Sequence, residues 1–297
     1  MPAPSQWLLS ALLTAVAATA AAGSERNVLF VAADELALQD RVAGTGAPGR
    51  VLRDGGAYRL ELPGGWRGAA PADVADYREL YVIRGELTVN DVVLGEGDYF
   101  EQSPPATWTL GAGDDGALAL LFRAPEAAPV LPGSYRRVVG SRRPWVAGMA
   151  MRAAGRDDVP LAIRHFRNDP RSGARTYLVR VAAGLSIPWE VHAVAEEAYL
   201  LSGDFTLVEC LADGEREHRY EPGGYFYRLP GIAHNGPRSG SDTGALMLIR
   251  TPGPLTVTLV DGCDPDRADV GAAGSRSYSW RQAAPISDFV SKKSSNA

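Results

Sequence analysis

The chain repeats one pattern of residues twice, and this repeat constrains its fold more than any other feature. The first copy spans residues 79–108 and the second residues 197–234. Each copy begins with Glu-x-Tyr, runs on to a glycine, continues with Gly-x-Tyr-Phe and closes after a proline. Self-similarity over such a distance indicates duplicated structural units, so the chain is predicted to form two tandem domains of one kind.

Length and composition indicate that both units are built from β-strands. The 297 residues suffice for two separate cores, and 33 glycines with 21 prolines suit short strands joined by tight turns. No convincing amphipathic helix interrupts the strand-like segments. We predict strands at 27–32, 58–62, 79–83, 87–89, 98–102 and 117–122 in the first half, and at 176–181, 190–192, 197–201, 205–211, 225–229 and 245–250 in the second. The net charge of −5 argues against a nucleic-acid partner.

The two ends of the chain differ in composition from the rest. Residues 1–22 read as a signal peptide, because residues 7–22 carry no charge and a small-residue cleavage site precedes Gly23. A retained membrane anchor is the alternative, but the apolar stretch is shorter than the ~20 residues that a span needs. We therefore predict a periplasmic or secreted protein that has no membrane association after cleavage. Residues 271–297 are predicted to be a C-terminal tail.

The chain has two cysteines, Cys210 and Cys263. In an oxidising compartment they could form a disulfide, and the sequence leaves their pairing open. Two cysteines without a Cys-x-x-Cys motif exclude a zinc site built from thiolates.

The second copy carries four side chains that can bind a metal. Glu190 and His192 are separated by one residue, so on an extended strand they point to the same face. Glu196 follows after a short turn, and His234 comes from the end of a later strand. Two imidazoles and two carboxylates suit one divalent ion, with iron or manganese favoured and zinc or nickel as alternatives. Glu190 could instead act as a general base, which makes it the candidate catalytic residue.

Without Glu190, the remaining set of His192, Glu196 and His234 has the two-histidine, one-carboxylate composition of non-haem iron oxygenases. The first copy lacks all of these ligands, since Ala72, Val74, Arg78 and Trp108 stand at the matching offsets. Arg78 and Trp108 either fill the vacated space, make an interface or line a pocket for an organic anion. Only the second half is predicted to bind a metal.

The spacing of these residues resembles that of the cupins. The first cupin motif reads Gly, five residues, His, one residue, His, three or four residues, Glu, six residues, Gly. The chain follows it with Glu190 in place of the first histidine, through Gly184, Glu190, His192, Glu196 and Gly203. Residues 223–234 resemble the second cupin motif. The chain is similar to uncharacterised exported bacterial double-cupin proteins and to the cupin domains of zinc-binding anti-sigma factors.

The resemblance covers nearly the whole mature chain and implies an all-β protein of two tandem jelly-roll barrels. Residues 23–140 are then a degenerate cupin domain without metal ligands, and residues 141–270 are the metal-binding cupin domain. Cupins commonly associate through their sheets, so a homodimer is a further expectation.

Three functions agree with these features. The favoured one is a dioxygenase-type oxidoreductase that acts on a small organic substrate at a mononuclear metal centre. The second is a metal-dependent isomerase or lyase in which Glu190 moves protons. The third is a non-catalytic binder or sensor that holds a metal or a ligand. In each case the partner is a small molecule.

Overall fold

The computed structural model describes residues 28–42, 44–70, 77–104, 108–124, 134–151, 159–265 and 277–279. These residues are almost entirely β-structure, with two short 3-10 helices at Ala33–Glu35 and Gly140–Arg142. The first strands are β1 (Leu29–Ala32), β2 (Gly49–Arg53), β3 (Ala57–Leu62), β4 (Arg67–Ala70), β5 (Tyr77–Val89), β6 (Val92–Leu94), β7 (Tyr99–Gln102) and β8 (Trp108–Ala124).

The later strands are β9 (Tyr135–Val138), β10 (Val146–Met151), β11 (Val159–Asn168), β12 (Arg175–Val181), β13 (Leu185–His192), β14 (Glu196–Gly203), β15 (Phe205–Leu211), β16 (Gly214–Tyr220), β17 (Gly224–Arg228), β18 (His234–Ser241), β19 (Ala245–Thr251), β20 (Thr256–Leu259) and β21 (Ser277–Ser279). The predicted all-β fold is confirmed. The predicted leader lies outside the described residues, as do Ala72, Val74 and most of the predicted tail.

The first half folds into one curved sheet around its own core. Its strands follow the order β2-β3-β8-β5-β7-β9, with β4 paired to β8 and β6 paired to β5. Register shifts after Val82 and after Gly85 bend β5 against β8. The predicted strands 79–83 and 87–89 are therefore two parts of the one long strand β5, and the bends lie between them. The core between its faces is apolar and includes Leu60, Leu80, Val82, Phe100, Trp108 and Leu121.

The second half is a jelly roll of two facing sheets. One sheet has the order β1-β17-β14-β19-β12-β11-β10 and the other β16-β15-β18-β13-β20-β21. Apolar side chains from both sheets meet between them and include Val179, Ile187, Leu200, Phe205, Phe226 and Met247. Alternation along each strand places every second residue in this interior, which is where β13, β14 and β18 carry the predicted metal ligands.

Two strands, β1 and β9, cover the edges of strands in the two halves. β1, which lies within the range predicted for the first domain, pairs antiparallel with β17 of the second half. β9 lies in the connection between the halves and pairs in the same way with β7, the first-half counterpart of β17. Covering the edges of β17 and β7 removes unpaired backbone groups that would otherwise face solvent.

A third apolar core lies between the halves and fixes them against each other. It contains aromatic residues from both, and Tyr99 stacks on Phe166 with ring centroids 5.4 Å apart. Other members are Tyr81, Leu120, Phe122, Leu178, Tyr199 and Tyr225. Within the described residues, no helix has the length and apolar character that crossing a membrane requires.

A disulfide joins Cys210 on β15 to Cys263, which follows β20. The two residues are 53 positions apart in sequence and their Cα atoms lie 5.2 Å apart. The disulfide therefore closes a long loop that contains β16 to β20, and it packs against Trp189 and Val208. The sequence left this pairing open, and the structure shows it.

We expect Cys210→Ala combined with Cys263→Ala to lower the free energy of unfolding by about 2–4 kcal/mol, because the unfolded chain gains loop entropy. Denaturant titration at constant pH measures the change. Adding a reductant to the wild-type protein should reproduce it and should leave the double variant unaffected. Equal unfolding midpoints for the wild type and the double variant without reductant would contradict the expectation.

Candidate metal centre

Three of the predicted ligands converge inside the second barrel. Glu190, His192 and His234 each offer one ligand atom, and these atoms all lie within 4.8 Å of one another. Glu190 and His192 come from β13, and His234 pairs directly opposite Glu190 at the start of β18. Nε2 of His234 is 3.4 Å and Nε2 of His192 is 3.6 Å from Oε1 of Glu190. Period-two alternation on β13 thus places both of its ligands on the inner face, as predicted.

A backbone hydrogen bond sets the tautomer of His234. Its Nδ1 lies 2.9 Å from the carbonyl oxygen of Ile232. A carbonyl only accepts, so Nδ1 carries the proton and Nε2 presents its lone pair to the cluster. Burial, with a further contribution from the Arg228 guanidinium, lowers the pKa of His234 to about 4. The neutral ring is the form that binds a metal.

Glu196 lies behind His192 rather than in the three-residue cluster. One of its carboxylate oxygens is 3.5 Å from Nδ1 of His192. The same oxygen contacts Arg228, which lies directly across from Glu196 on β17. This places Nε2 of His192 toward Glu190 and His234. A carboxylate in this position can orient the imidazole of a metal-binding histidine. Glu196 was predicted to be a metal ligand itself, and that role stays a prediction.

Arg228 joins the two sheets across the barrel interior. It contacts Glu196 on one sheet and donates from Nη1 to Oε1 of Glu209 on the other, at 2.7 Å. Arg228 and Glu209 are both fully buried. Burial raises the pKa of Glu209 to about 7 against the opposing effect of Arg228. Glu209 was not among the predicted site residues. Its signal was the alternation Phe205, Leu207, Glu209, which places it on the inner face with two pocket-lining side chains.

Burial and charge pull the pKa values of the ligands in opposite directions. Burial raises the pKa of Glu190, but the two imidazoles outweigh it and hold the value at about 2. Burial lowers the pKa of His192, but the carboxylates of Glu196 and Glu190 outweigh it and raise the value above 6.5. The apo site at neutral pH therefore contains an ionised Glu190 and a protonated His192.

The residues fit a divalent metal ion. Oε2 of Glu190 and Nε2 of both histidines are buried, and none has a hydrogen-bond partner among the described residues. These unpaired atoms, with Oε1 of Glu190 at 3.4 Å and 3.6 Å from the two imidazole nitrogens, form a buried set that a shared cation would satisfy. The surrounding cavity of about 60 Å³ is lined mainly by apolar side chains, which include Val179, Ile187, Phe205, Phe226 and Met247.

Two of the corresponding positions in the first half, Arg78 and Trp108, are described and pack against each other. Arg78 places its guanidinium carbon 4.6 Å from the centre of the Trp108 ring, and both residues are buried. Within the described residues, no cluster of potential ligands lies in this half. The remaining histidines, His165 and His218, are both half-buried, and His218 stacks on Phe30.

The fold is shared with solved structures. Oxalate decarboxylase of Bacillus subtilis aligns with a TM-score of 0.54 at 14% identity, over 76% of this chain and 77% of that chain. A candidate dioxygenase of Nostoc punctiforme aligns with a TM-score of 0.57 at 18% identity, over 86% and 88%. No protein-family model matches the sequence, and no curated protein matches it. The structural likeness confirms the predicted double-cupin fold, and at these identities it carries the fold alone.

Proposed function

We propose that this protein is a metalloprotein that holds one divalent ion in its second barrel and uses it on a small organic molecule. Glu190, His192 and His234 bind the ion, and Glu196 holds His192 in orientation. The observation that carries the proposal is the convergence of two imidazole nitrogens and one carboxylate within 4.8 Å in a buried cavity lined mainly by apolar side chains. A bound divalent ion supplies a Lewis acid and, with iron or manganese, a redox centre.

The buried charges of the site support a bound cation. Glu190, Glu196 and Glu209 are three buried carboxylates, and Arg228 is the one buried guanidinium among them. With both imidazoles neutral, Arg228 offsets one carboxylate, and Glu209, whose pKa is raised to about 7, is partly protonated at neutral pH. Negative charge therefore remains in the site, and because uncompensated charge in an apolar interior is costly, the second-half barrel favours a bound cation.

The reaction class that this ligand set supports best is dioxygenase-type oxidation. Two histidines and one carboxylate that leave coordination positions open are typical of non-haem iron oxygenases. Among the similar structures, the Nostoc protein is described as a candidate dioxygenase and the Bacillus protein has Mn(II) centres. Metal analysis of protein purified from its native compartment, followed by oxygen-uptake assays with small carbonyl and phenolic compounds, tests the proposal. Zinc without oxygen uptake would favour an isomerase, a lyase or a non-catalytic sensor instead.

We propose that the protein works in the periplasm or outside the cell. The Cys210–Cys263 disulfide supports this location, because disulfides persist in oxidising compartments. Mass spectrometry of the protein from the periplasmic fraction should find a mature N-terminus near Gly23. A small-molecule ligand and a homodimer complete the proposal, and light scattering after size exclusion measures the latter.

Glu190→Gln and Glu196→Gln should differ in their effect on metal content. Removing the charge of Glu190 deletes a ligand, so we expect the purified protein to lose its metal. Removing the charge of Glu196 loosens His192 and should weaken metal affinity by about 10–100-fold while leaving one binding site. Titration with a competing chelator measures both variants. Equal and complete loss in both would assign Glu196 as a fourth ligand.

Metal affinity should rise with pH. Because the pKa of His192 is raised by Glu196 and Glu190, the apo protein holds a proton there at neutral pH, and the metal must displace it. We expect roughly a tenfold gain in apparent affinity per pH unit from about pH 6 until His192 has lost its proton. Competition titrations at several pH values measure the slope. A flat profile over this range would show that His192 does not exchange a proton for the metal.

A further inference from the structure

We propose that Asn235 fixes the orientation of Glu190 and uses its own amide oxygen to bind an N–H or O–H group of a small molecule in the metal cavity. The inference rests on the proposed metal function and extends it to the class of ligand. Its backbone, its partner and its unpaired oxygen carry the inference.

The backbone of Asn235 is held in a conformation that glycine would adopt more easily. Its φ angle is +72°, and the next residue, Gly236, has a φ angle of +93°. β13 has an extra residue here, because Ile187 pairs with Gly236 and Glu190 with His234. A side chain on Gly236 would meet the Trp189 ring at 2.4 Å, so packing of Trp189 fixes this turn. A non-glycine residue kept in the left-handed region beside a site is typical of functional positions.

The partner of Asn235 determines which way its amide faces. Nδ2 donates to Oε1 of Glu190 at 2.8 Å. The carboxylate oxygen is the acceptor of this hydrogen bond, so the NH2 group is the side of the amide that faces Glu190. The hydrogen bond restrains one oxygen of Glu190, while Oε2 has no hydrogen-bond partner in the described part of the chain. Oε1 is also the oxygen that lies 3.4 Å and 3.6 Å from Nε2 of His234 and His192, so Asn235 holds the carboxylate in place against the two imidazoles.

The opposite side of the amide is an unpaired acceptor. Oδ1 of Asn235 is buried, and no described residue donates to it. Asn235 is 4% exposed and lines the same cavity as the three ligands. An acceptor left unpaired in such a place is unfavourable, because it has lost its hydrogen bonds to water. A bound molecule with a donor group removes this cost, whereas an acceptor-only molecule does not. The site is therefore built for small donors such as amides, hydroxamates or hydroxy acids, in preference to simple carboxylates.

Asn235→Gly separates these roles from a merely structural one, because glycine adopts the same backbone conformation. We expect Mn²⁺ alone, measured by competition with a chelator, to bind the variant about 10–100-fold more weakly than the wild type. The melting temperature should stay the same or rise. Asn90→Gly is the matched control, since Asn90 is the other asparagine with a positive φ angle among the described residues and lies far from the cluster in the first half. Wild-type affinity for Mn²⁺ in Asn235→Gly would overturn the orienting role. A wild type that binds no divalent ion would instead refute the proposed metal function.

The second measurement tests the ligand class at Mn²⁺ concentrations that saturate both proteins. Acetohydroxamate carries an N–H donor, and acetate carries none. We expect Asn235→Gly to bind acetohydroxamate about threefold to tenfold more weakly than the wild type and to bind acetate equally well. Equal weakening of both probes, or weakening of neither, would overturn the ligand-binding role of Oδ1.

Discussion

His192→Ala and His234→Ala should each reduce the metal content of the purified protein from one equivalent to background. Each substitution removes one of two imidazoles from a three-residue cluster whose ligand atoms lie within 4.8 Å of one another. The one imidazole and the Glu190 carboxylate that remain are too few ligands to hold an ion against the buffer. Elemental analysis after dialysis, combined with circular dichroism to confirm folding, measures the effect.

Two controls make this result specific to the cluster. His218→Ala removes a half-buried histidine that stacks on Phe30, and Trp108→Phe changes the first-half residue at the position that matches His234. Both variants should keep the full metal content. Metal loss in Trp108→Phe with retention in His234→Ala would place the ion in the wrong barrel and contradict the assignment.

The sequence predicted the fold and brought Glu190, His192 and His234 together because both inferences depend on local spacing. Alternating apolar residues set the strands, and the separation of Glu190 from His192 by one residue places both on one face of β13. His234 follows because it starts β18 directly opposite Glu190. A ligand set made from neighbouring positions on paired strands can be inferred without knowing the rest of the fold.

Features that depend on distant pairing were beyond the sequence. β1 joins the opposite half, and Cys210 meets Cys263 across 53 residues. Arg228 lies opposite Glu196 on β17 and contacts its carboxylate. Spacing along one strand cannot show this contact between Glu196 and Arg228, so the sequence did not reveal it.

The repeated residues turn out to build the contact between the halves, whereas the metal site is where the copies differ. The glutamate of each copy accepts a hydrogen bond from the tyrosine of the same copy. Tyr99 donates to Glu79 at 2.9 Å, and Tyr225 donates to Glu197 at 2.6 Å. Arg250 of the second half then bridges both glutamates, at 2.9 Å and 2.6 Å. The residues that the two copies share therefore lie where the two halves meet.

Glu79→Gln should lower the free energy of unfolding by about 3–5 kcal/mol, because it removes one member of a buried ion cluster and leaves its partners buried. Glu79 is fully buried and accepts hydrogen bonds from Arg167 at 2.7 Å, Arg250 at 2.9 Å and Thr176, all from the second half. Burial raises its pKa, and the two arginines outweigh burial and hold it at about 2. Denaturant titration measures the loss, and Glu217→Gln is the control.

The control and the pH dependence distinguish this cluster from an ordinary ion pair. Glu217 pairs with Arg238 at 2.8 Å on the surface, where solvent screens the charges, so its variant should lose less than about 1 kcal/mol. The pKa of Glu79 is lowered in the folded state, so its contribution is complete above the ordinary value of 4.5 and is lost as the pH falls toward 2. The stability difference between wild type and Glu79→Gln should therefore narrow on acidification. A small difference that does not vary with pH would show that the apolar contacts of Tyr99 and Phe166, rather than the shared arginines, hold the two barrels together.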